Sequence, residues 1–256
     1  MKYDTNIIFL RQIYFKFKSV SKLPILMYHN ITTNSDLSRG LSLSVNKFEE
    51  QLKYLMEHNF KTYFVSEIEK IEVIESKSVV LTFDDVTENQ FLYALPLLKK
   101  YRIKATFFIP FSFIGKTDIW NAGSEKIMTF DQLKSLDSDF IELGHHSYFH
   151  RKYSALSLEE IQDDFDKSFQ LIAENDLKVY AALAYPYGNY PKKGIRKIEF
   201  FQLLERNNIK MAFRIGNRLN RSPFKNKYEI QRIDIKGEDG LFSFKWKLRL
   251  GKLHLF

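Results

Sequence analysis

The sequence predicts an α/β protein whose parallel strands alternate with helices and either close into a distorted barrel or form an open, doubly wound sheet. Two observations support this fold class. First, helical patterns separate most of the apolar segments, and alternating strands and helices indicate parallel strands joined by right-handed crossovers. Second, the apolar segments have the length of strands and are "PILMYH" (24–29), "VVLTF" (79–83), "ATFFI" (105–109), "FIELG" (140–144), "VYAALAY" (179–185), "KMAFRI" (210–215) and "YEIQRIDI" (228–235).

The first helical pattern covers residues 46–58. Its apolar side chains Phe48, Leu52 and Leu55 share one face at helical spacing. Ser44 or Asn46 is placed to cap the start, because either side chain can accept a hydrogen bond from a free backbone amide.

Further helices are predicted after each of the next four strands. One begins at Thr87 and must bend or break at Pro96, which has no amide donor. Capping boxes at residues 129–132 and 157–160 mark two more helix starts. A fifth helix is expected over about residues 195–204. There is no internal repeat and no interdomain linker, which indicates one domain.

Both termini are basic and rich in apolar residues. Residues 1–22 form a basic, amphipathic N-terminal extension without the uninterrupted apolar run of a signal peptide or membrane span. We therefore expect a cytoplasmic protein, with peripheral contact to an anionic membrane surface as an open alternative. In residues 241–256, apolar and basic residues alternate, which predicts either a strand with one basic face or a tail that touches anionic headgroups. The predicted domain lies between these ends, at residues 23–240.

Composition narrows the chemistry. The chain has no cysteine, so disulfides and thiolate metal sites are excluded. A formal net charge of +8 favours anionic partners. Nucleic acid is not expected, because no recognition motif and no concentrated basic helix occur. The oligomeric state leaves no signal in the sequence.

Ionisable side chains collect where the predicted strands end. In either architecture the carboxyl ends of parallel strands form one rim, at which ligands bind. The residues placed there are His29 after the first strand, Asp84 and Asp85 after the second, His145, His146 and His150 after the fourth, and residues 185–188 after the fifth. This clustering predicts a functional site at the rim.

The segment "HSYFH" (146–150) places two imidazoles four residues apart, so that a helical turn or a tight loop brings both to one divalent ion. Surface or hydrogen-bonded histidines are the alternative for this pair alone. The adjacent aspartates supply the missing carboxylate, because a cation compensates one charge and leaves the other free to act as a base. Two histidines and one aspartate leave coordination positions open, as hydrolytic sites require.

Three ordered motifs, "TFDDV" (82–86), "HSYFH" (146–150) and "AYPYG" (184–188), resemble those of the polysaccharide deacetylases with the NodB homology domain, carbohydrate esterase family 4. The opening "PILMYHN" and the form "YPYG" are most similar to the poly-N-acetylglucosamine deacetylase branch. The resemblance implies a distorted (β/α) barrel of about seven parallel strands, a divalent metal and removal of acetyl groups from N-acetylated sugars.

By position, the resemblance implies that Asp85, His146 and His150 are the metal ligands and that Asp84 is the general base. It also implies that the backbone amide of Tyr187 stabilises the oxyanion. Zinc is the favoured metal, with Co²⁺, Ni²⁺ or Fe²⁺ as alternatives for this ligand set.

The sequence departs from the family at several positions. Ala184 stands where many relatives carry an arginine that orients the catalytic aspartate. Arg232, on the last predicted strand, could replace that arginine, and a surface arginine is the alternative. Val86 stands in place of a frequent glycine. His145, in place of Asn or Ser, is expected to be a neighbour of the ligands, or exposed, rather than a third histidine ligand.

The motif pattern does not identify the general acid. Relatives with five motifs carry a late histidine, and the only late one here is His254, which lacks a matching context. His29 is therefore our candidate acid, and a histidine that only packs at the rim is the alternative.

These observations predict a metal-dependent hydrolase that removes N-acetyl groups from amino sugars of a surface polysaccharide or a lipid-linked glycan. Two alternatives stay open: a weak or inactive carbohydrate-binding homologue, and a deformylase of a lipid-linked amino sugar. Trp120, in the loop "TDIWNAGSEK", either stacks on a sugar ring or packs internally.

Overall fold

Seven apolar runs of the sequence form the strands of a parallel barrel. A computed structural model of the chain describes residues 22–71 and 73–251. Its strands are β1 (Lys22–Leu23), β2 (Ile25–Tyr28), β3 (Asn30–Thr32), β4 (Ser42–Ser44), β5 (Lys61–Tyr63), β6 (Ser78–Asp84), β7 (Ala105–Ile109), β8 (Ile141–His145), β9 (Val179–Ala184), β10 (Met211–Ile215), β11 (Asn220–Arg221) and β12 (Ile230–Asp234).

The barrel runs in the order β2-β12-β10-β9-β8-β7-β6 and closes through a further pairing between β6 and β2. In the closing pair, Leu26 lies beside Leu81, and on its other side Leu26 lies beside Ile233 of β12. Strand β5 adds to β6 as an eighth strand of the same sheet. The predicted distorted (β/α) barrel of about seven parallel strands is confirmed. The open, doubly wound sheet is wrong, because β2 has no free edge.

The helices are α1 (Val45–Glu57), α2 (Val65–Lys70), α3 (Leu95–Lys100), α4 (Phe130–Lys134), α5 (Leu158–Glu174), α6 (Gly194–Arg206) and α7 (Leu241–Leu250). Ser44 caps α1, and capping boxes at Thr129 and Ser157 open α4 and α5, as predicted. The bend expected at Pro96 takes the form of a π-helical turn over Gln90–Ala94 followed by α3, with Pro96 in its first turn. Proline is tolerated there because first-turn amides have no partner within the helix.

The barrel interior is packed by side chains at alternate strand positions. The ring of Phe108 fills the space beside Gly144, where a Cβ atom would lie 2.7 Å from that ring. The Arg232 guanidinium carbon lies 5.5 Å from the centroid of the same ring. The missing side chain at position 144 thus makes room for a ring that supports a buried arginine.

Residues 241–250, predicted as a strand with a basic face, form the helix α7, so that prediction is wrong, and residues 252–256 lie outside the described residues. Alternating apolar residues also recur at every fourth position, and a helix divides them into two stripes. Phe244 and Leu248 are buried in the main core, where Phe244 packs edge-on against Tyr54 of α1. Phe242 and Trp246 lie on the exposed stripe. The segment packs as a helix against α1 instead of pairing with a strand edge.

The N-terminal extension, apart from its last residue, and His254 lie outside the described residues. Within residues 22–71 and 73–251, no helix has both the length and the apolar character needed to cross a bilayer.

Candidate metal centre and active site

Three side chains that the sequence placed at the rim converge on one point. Asp85 directly follows β6, and His146 and His150 lie in the loop after β8. The Nε2 atoms of the two histidines are 3.2 Å apart. Oδ1 of Asp85 lies 3.5 Å from Nε2 of His146 and 3.4 Å from Nε2 of His150. These three atoms form a nearly equilateral triangle among buried residues.

The triangle has the dimensions of a metal site. Bonds of about 2.0–2.1 Å at tetrahedral angles place neighbouring ligand atoms about 3.3 Å apart. Oδ1 of Asp85 is buried and has no hydrogen-bond partner. Nδ1 of His146 lies 2.8 Å from the carbonyl oxygen of Ala184, which fixes the proton on Nδ1 and leaves the Nε2 lone pair toward the triangle. The residues present therefore fit a divalent cation.

The protonation equilibria favour neutral imidazole ligands and leave the Asp85 carboxylate in need of a cation. Burial lowers the pKa of His146 to about 4 and that of His150 to about 2, so both imidazoles are neutral near pH 7. Burial and the charges of Asp84 and Asp118 raise the pKa of Asp85 well above its usual range. A buried carboxylate in this setting needs a positive partner, and a bound cation provides one.

The loop that carries both histidines is held by Asp164, on the buried face of α5. One carboxylate oxygen of Asp164 accepts from the amide of Tyr148 at 2.9 Å, and the other accepts from the amide of Phe149 at 3.0 Å. The amide of His150 donates to Oγ of Ser147. The motif is therefore the tight loop, rather than the helical turn, of the two geometries expected.

Asp84 is held by a bidentate ion pair across the barrel interior. Nη1 and Nη2 of Arg232 lie 2.6 and 2.7 Å from the two Asp84 oxygens. Arg232 is 0% exposed, so the alternative of a surface arginine is wrong. Burial alone would raise the pKa of Asp84, but the charge and hydrogen bonds of Arg232 hold it well below its ordinary range. The carboxylate therefore stays ionised in a buried site.

His29 and the histidine loop approach the same oxygen of Asp84. Nε2 of His29 is 3.9 Å from Oδ2 of Asp84, and the same oxygen is 3.8 Å from Nε2 of His146. Burial lowers the pKa of His29, and the charge of Asp84 opposes this shift. The structure thus brings the proposed acid and the proposed base to neighbouring positions.

Two departures from the family pattern are buried beside the site. His145 packs edge-on between the rings of Phe111 and Phe169, with centroid distances of 5.3 and 5.5 Å. It is neither exposed nor in the triangle. Val86 is fully buried and has a φ of 42°, a conformation that is strained for a β-branched residue.

A cleft of about 390 Å³ opens beside the triangle and is lined by aromatic and basic side chains. The Trp120 ring lies 4.1 Å from the His150 ring at 30°, and it packs edge-on against Phe113. Tyr187 is half-exposed, 4.9 Å from His150, with Nζ of Lys152 over its ring. Trp120 therefore packs internally and also borders the cleft, and stacking on a sugar ring stays a prediction.

Sequence reasoning missed two supporting residues. Gln90 donates from Nε2 to the carbonyl oxygens of His29 and Asp84, and so ties two rim segments together. No sequence signal marks it. Asp164 had a signal, because helical spacing places this acid on the apolar face of α5, with Ile161 and Phe165.

Together, the fold and the site define a (β/α) barrel protein with a candidate metal centre at the carboxyl ends of its strands. The family model described as "Polysaccharide deacetylase" matches residues 73–205. The chain belongs to the polysaccharide deacetylase family, which confirms the resemblance read from its motifs.

Two curated relatives extend the match. YxkH of Bacillus subtilis (strain 168) is 30% identical over 190 residues, which cover 72% of this chain and 63% of YxkH. The chain therefore matches less than two thirds of the length of that relative. The poly-beta-1,6-N-acetyl-D-glucosamine N-deacetylase of Staphylococcus aureus (strain MSSA476) is 27% identical over 212 residues, 78% of this chain and 70% of the relative.

Solved structures share the fold. Streptococcus pyogenes deacetylase PplD, in complex with acetate, superposes with a TM-score of 0.72 at 23% identity, covering 90% of this chain and 100% of that one. IcaB from Ammonifex degensii gives a TM-score of 0.71 at 20% identity, with 89% and 97% coverage. At these identities the likeness supports the fold alone.

Proposed function

We propose that this chain is a metal-dependent hydrolase that removes N-acetyl groups from amino sugars of a surface polysaccharide or a lipid-linked glycan. One observation carries the proposal: a triangle of ligand atoms from Asp85, His146 and His150 lies next to the ionised carboxylate of Asp84, whose Oδ2 is 3.8 Å from Nε2 of His146. The S. aureus relative, named for an N-acetylglucosamine polymer, supports the substrate class.

Asp85, His146 and His150 are the residues that would hold the ion. Zinc is the favoured metal, and Co²⁺, Ni²⁺ and Fe²⁺ are the alternatives for two imidazoles and one carboxylate. When bound, such an ion supplies a Lewis acid that polarises a carbonyl group and acidifies water.

The chain supplies the proton transfers. Asp84, kept ionised by Arg232, accepts a proton at Oδ2 from the attacking water. The bond between this water oxygen and the acetyl carbon forms first and gives a tetrahedral oxyanion. When the oxyanion collapses, the C–N bond breaks and the departing amine needs a proton. His29, with Nε2 3.9 Å from Oδ2 of Asp84, is placed to take up the proton that Asp84 has accepted and to deliver it to the amine. The products are acetate and the free amino sugar.

The oxyanion and the sugar also need partners. The backbone amide of Tyr187 is the proposed donor to the oxyanion, and Tyr187 itself has a φ of 59°. The rings of Trp120 and Tyr187 border the cleft and offer faces on which a sugar ring can stack.

The test is acetate release by the metal-loaded protein from β-1,6-linked N-acetylglucosamine oligomers, with N-formylated oligomers assayed in parallel. We expect Asp84→Asn to lower turnover by about 10²–10⁴-fold, the usual contribution of a positioned base, and to keep metal bound. Asp36→Asn, at an exposed aspartate, is the matched control and should retain activity.

The outcomes separate the competing functions. Formate release without acetate release would assign the deformylase alternative. Binding of oligomers to a folded, metal-loaded protein without turnover would assign the inactive binding homologue. A fully active Asp84→Asn variant would remove Asp84 from its proposed role.

A further inference from the structure

The outer face of α7 carries an apolar ridge that no part of the described chain covers. Phe242, Trp246 and Leu250 are 75%, 42% and 47% exposed, and their spacing of four residues aligns them along one side of the helix. The rings of Phe242 and Trp246 lie 6.0 Å apart in an edge-on arrangement, so the ridge is continuous at its start.

Basic side chains accompany this ridge, and the helix has no acid. Residues 241–250 contain three cations and no Asp or Glu. Lys247 is buried and forms an internal ion pair with Asp239. Lys245 and Arg249 form no ion pair with any carboxylate of residues 22–71 and 73–251. Lys245, whose Nζ lies 4.8 Å from the centroid of the Tyr54 ring, and Arg249 therefore have no carboxylate partner within the described residues and can bind an anionic one.

Helix α6 shows that exposure alone does not define such a surface. Ile195 and Ile198 on α6 are 74% and 58% exposed, as much as the ridge. The neighbouring Lys197, however, pairs with Glu229, and Arg196 donates to the carbonyl oxygen of Leu156. Exposed apolar residues with unpaired cations thus distinguish α7 from this helix.

We propose that the outer face of α7 binds the surface of an anionic lipid bilayer. Phenylalanine, tryptophan and leucine insert at the boundary between headgroups and acyl chains, and neighbouring Lys and Arg bind anionic headgroups. A second copy of the chain fits less well. A two-fold contact through this face would bring Lys245 and Arg249 of both copies together without a carboxylate on either helix. This inference goes beyond the proposed function, since it does not depend on turnover.

Co-sedimentation of the full chain with vesicles tests the proposal. We expect binding to vesicles of phosphatidylcholine with phosphatidylglycerol, weaker binding to phosphatidylcholine alone, and a loss of affinity with added salt. The double variants Phe242→Ser/Trp246→Ser and Lys245→Gln/Arg249→Gln should each reduce the partition coefficient at least about tenfold, by loss of inserted apolar groups or of headgroup contacts. The matched control Ile195→Ser/Ile198→Ser, which removes equally exposed side chains from α6, should bind normally.

Fluorescence reports the contact directly. The chain has two tryptophans, so Trp120→Phe leaves Trp246 as the single reporter. Its emission should shift to the blue with anionic vesicles and stay unchanged with neutral ones.

Binding that survives both α7 double variants would overturn the proposal and assign membrane contact to another surface. Self-association abolished by the α7 variants, without vesicle binding, would assign the face to a second copy. Acetate release from soluble oligomers is measured separately, so failure here is distinct from failure of the proposed activity.

Discussion

Arg232 sets the charge state of Asp84, and replacing it by glutamine tests the site most directly. Both Asp84 oxygens contact the guanidinium, at 2.6 and 2.7 Å, in a region with almost no exposure. Glutamine keeps similar length and one donor group but removes the positive charge. Asp84 then loses the charge and the hydrogen bonds that, together with His146 and His29, counteract its burial.

The size of the effect follows from the geometry. At a charge separation of about 4 Å and an effective dielectric constant of about 20, the attraction is about 4 kcal/mol, or about three pKa units. Because burial is the largest single influence on Asp84 and acts upward, the pKa in Arg232→Gln should rise to the ordinary carboxylate range or above it. Leaving one partner of a buried pair should also cost about 3–5 kcal/mol in the free energy of unfolding.

The assay is the pH dependence of kcat/KM on N-acetylglucosamine oligomers, together with urea unfolding. In Arg232→Gln the acidic limb of the profile should move toward neutral pH, because Asp84 then takes up a proton at higher pH. Arg232→Lys, which keeps the charge without the bidentate geometry, should shift the limb less. A folded Arg232→Gln protein whose acidic limb coincides with that of the unchanged protein would refute the assignment of Arg232 to the charge state of Asp84.

Two further predictions concern the surroundings of the ligands. Burial lowers the pKa of His145 in the folded protein to about 4, whereas His145 of the unfolded chain takes up a proton below about pH 6.5. The free energy of unfolding therefore drops as the pH falls from about 6.5 to about 4. His145→Phe should remove up to about 3 kcal/mol of this loss in the free energy of unfolding. Urea unfolding at pH 7 and near pH 4 measures the difference. An unchanged pH dependence in the variant would contradict a buried, neutral His145. Asp164→Asn leaves one of two backbone amides without its carboxylate acceptor, so metal affinity should fall about 10–100-fold by titration calorimetry. The matched control Asp163→Asn, at an exposed neighbour on the same helix, should bind metal normally, and equal affinities of the two variants would contradict a role of Asp164 in positioning the histidine loop.

Much of the barrel could be read from the sequence because its strands are buried on both faces. Such strands appear as continuous apolar runs, and residues 105–109 coincide with β7. Once the strands are placed, topology brings their carboxyl ends to one rim, which is why Asp85, His146 and His150 could be grouped without coordinates. The closing pair of the barrel could not be read in this way, because an open sheet uses the same runs.

The role of Arg232 was open for a related reason. Its strand was predicted, but contact with Asp84 depends on the width of the barrel and on the space left by Gly144 for the Phe108 ring. Neither quantity is local in sequence. The prediction of a strand at α7 was wrong because apolar residues at every second position also recur at every fourth position, and residues four apart share one face of a helix. The sequence pattern therefore fits both a strand and a helix, and the packing of Phe244 on Tyr54 decides for the helix.

Backbone strain is the part of the site that sequence patterns conceal most. Positive φ angles occur at five non-glycine residues around the triangle: Asp85, Val86, Ser147, His150 and Tyr187. Such conformations persist only where the surroundings over-determine them. Val86 shows how this is achieved here, since its side chain is fully buried and its carbonyl oxygen accepts the amide of Met128. A glycine would adopt this turn without strain but would lose that packing and gain freedom in the unfolded chain. The rim thus combines a strained loop with a rigid barrel beneath it, and the barrel holds the ligand atoms at distances that suit a cation.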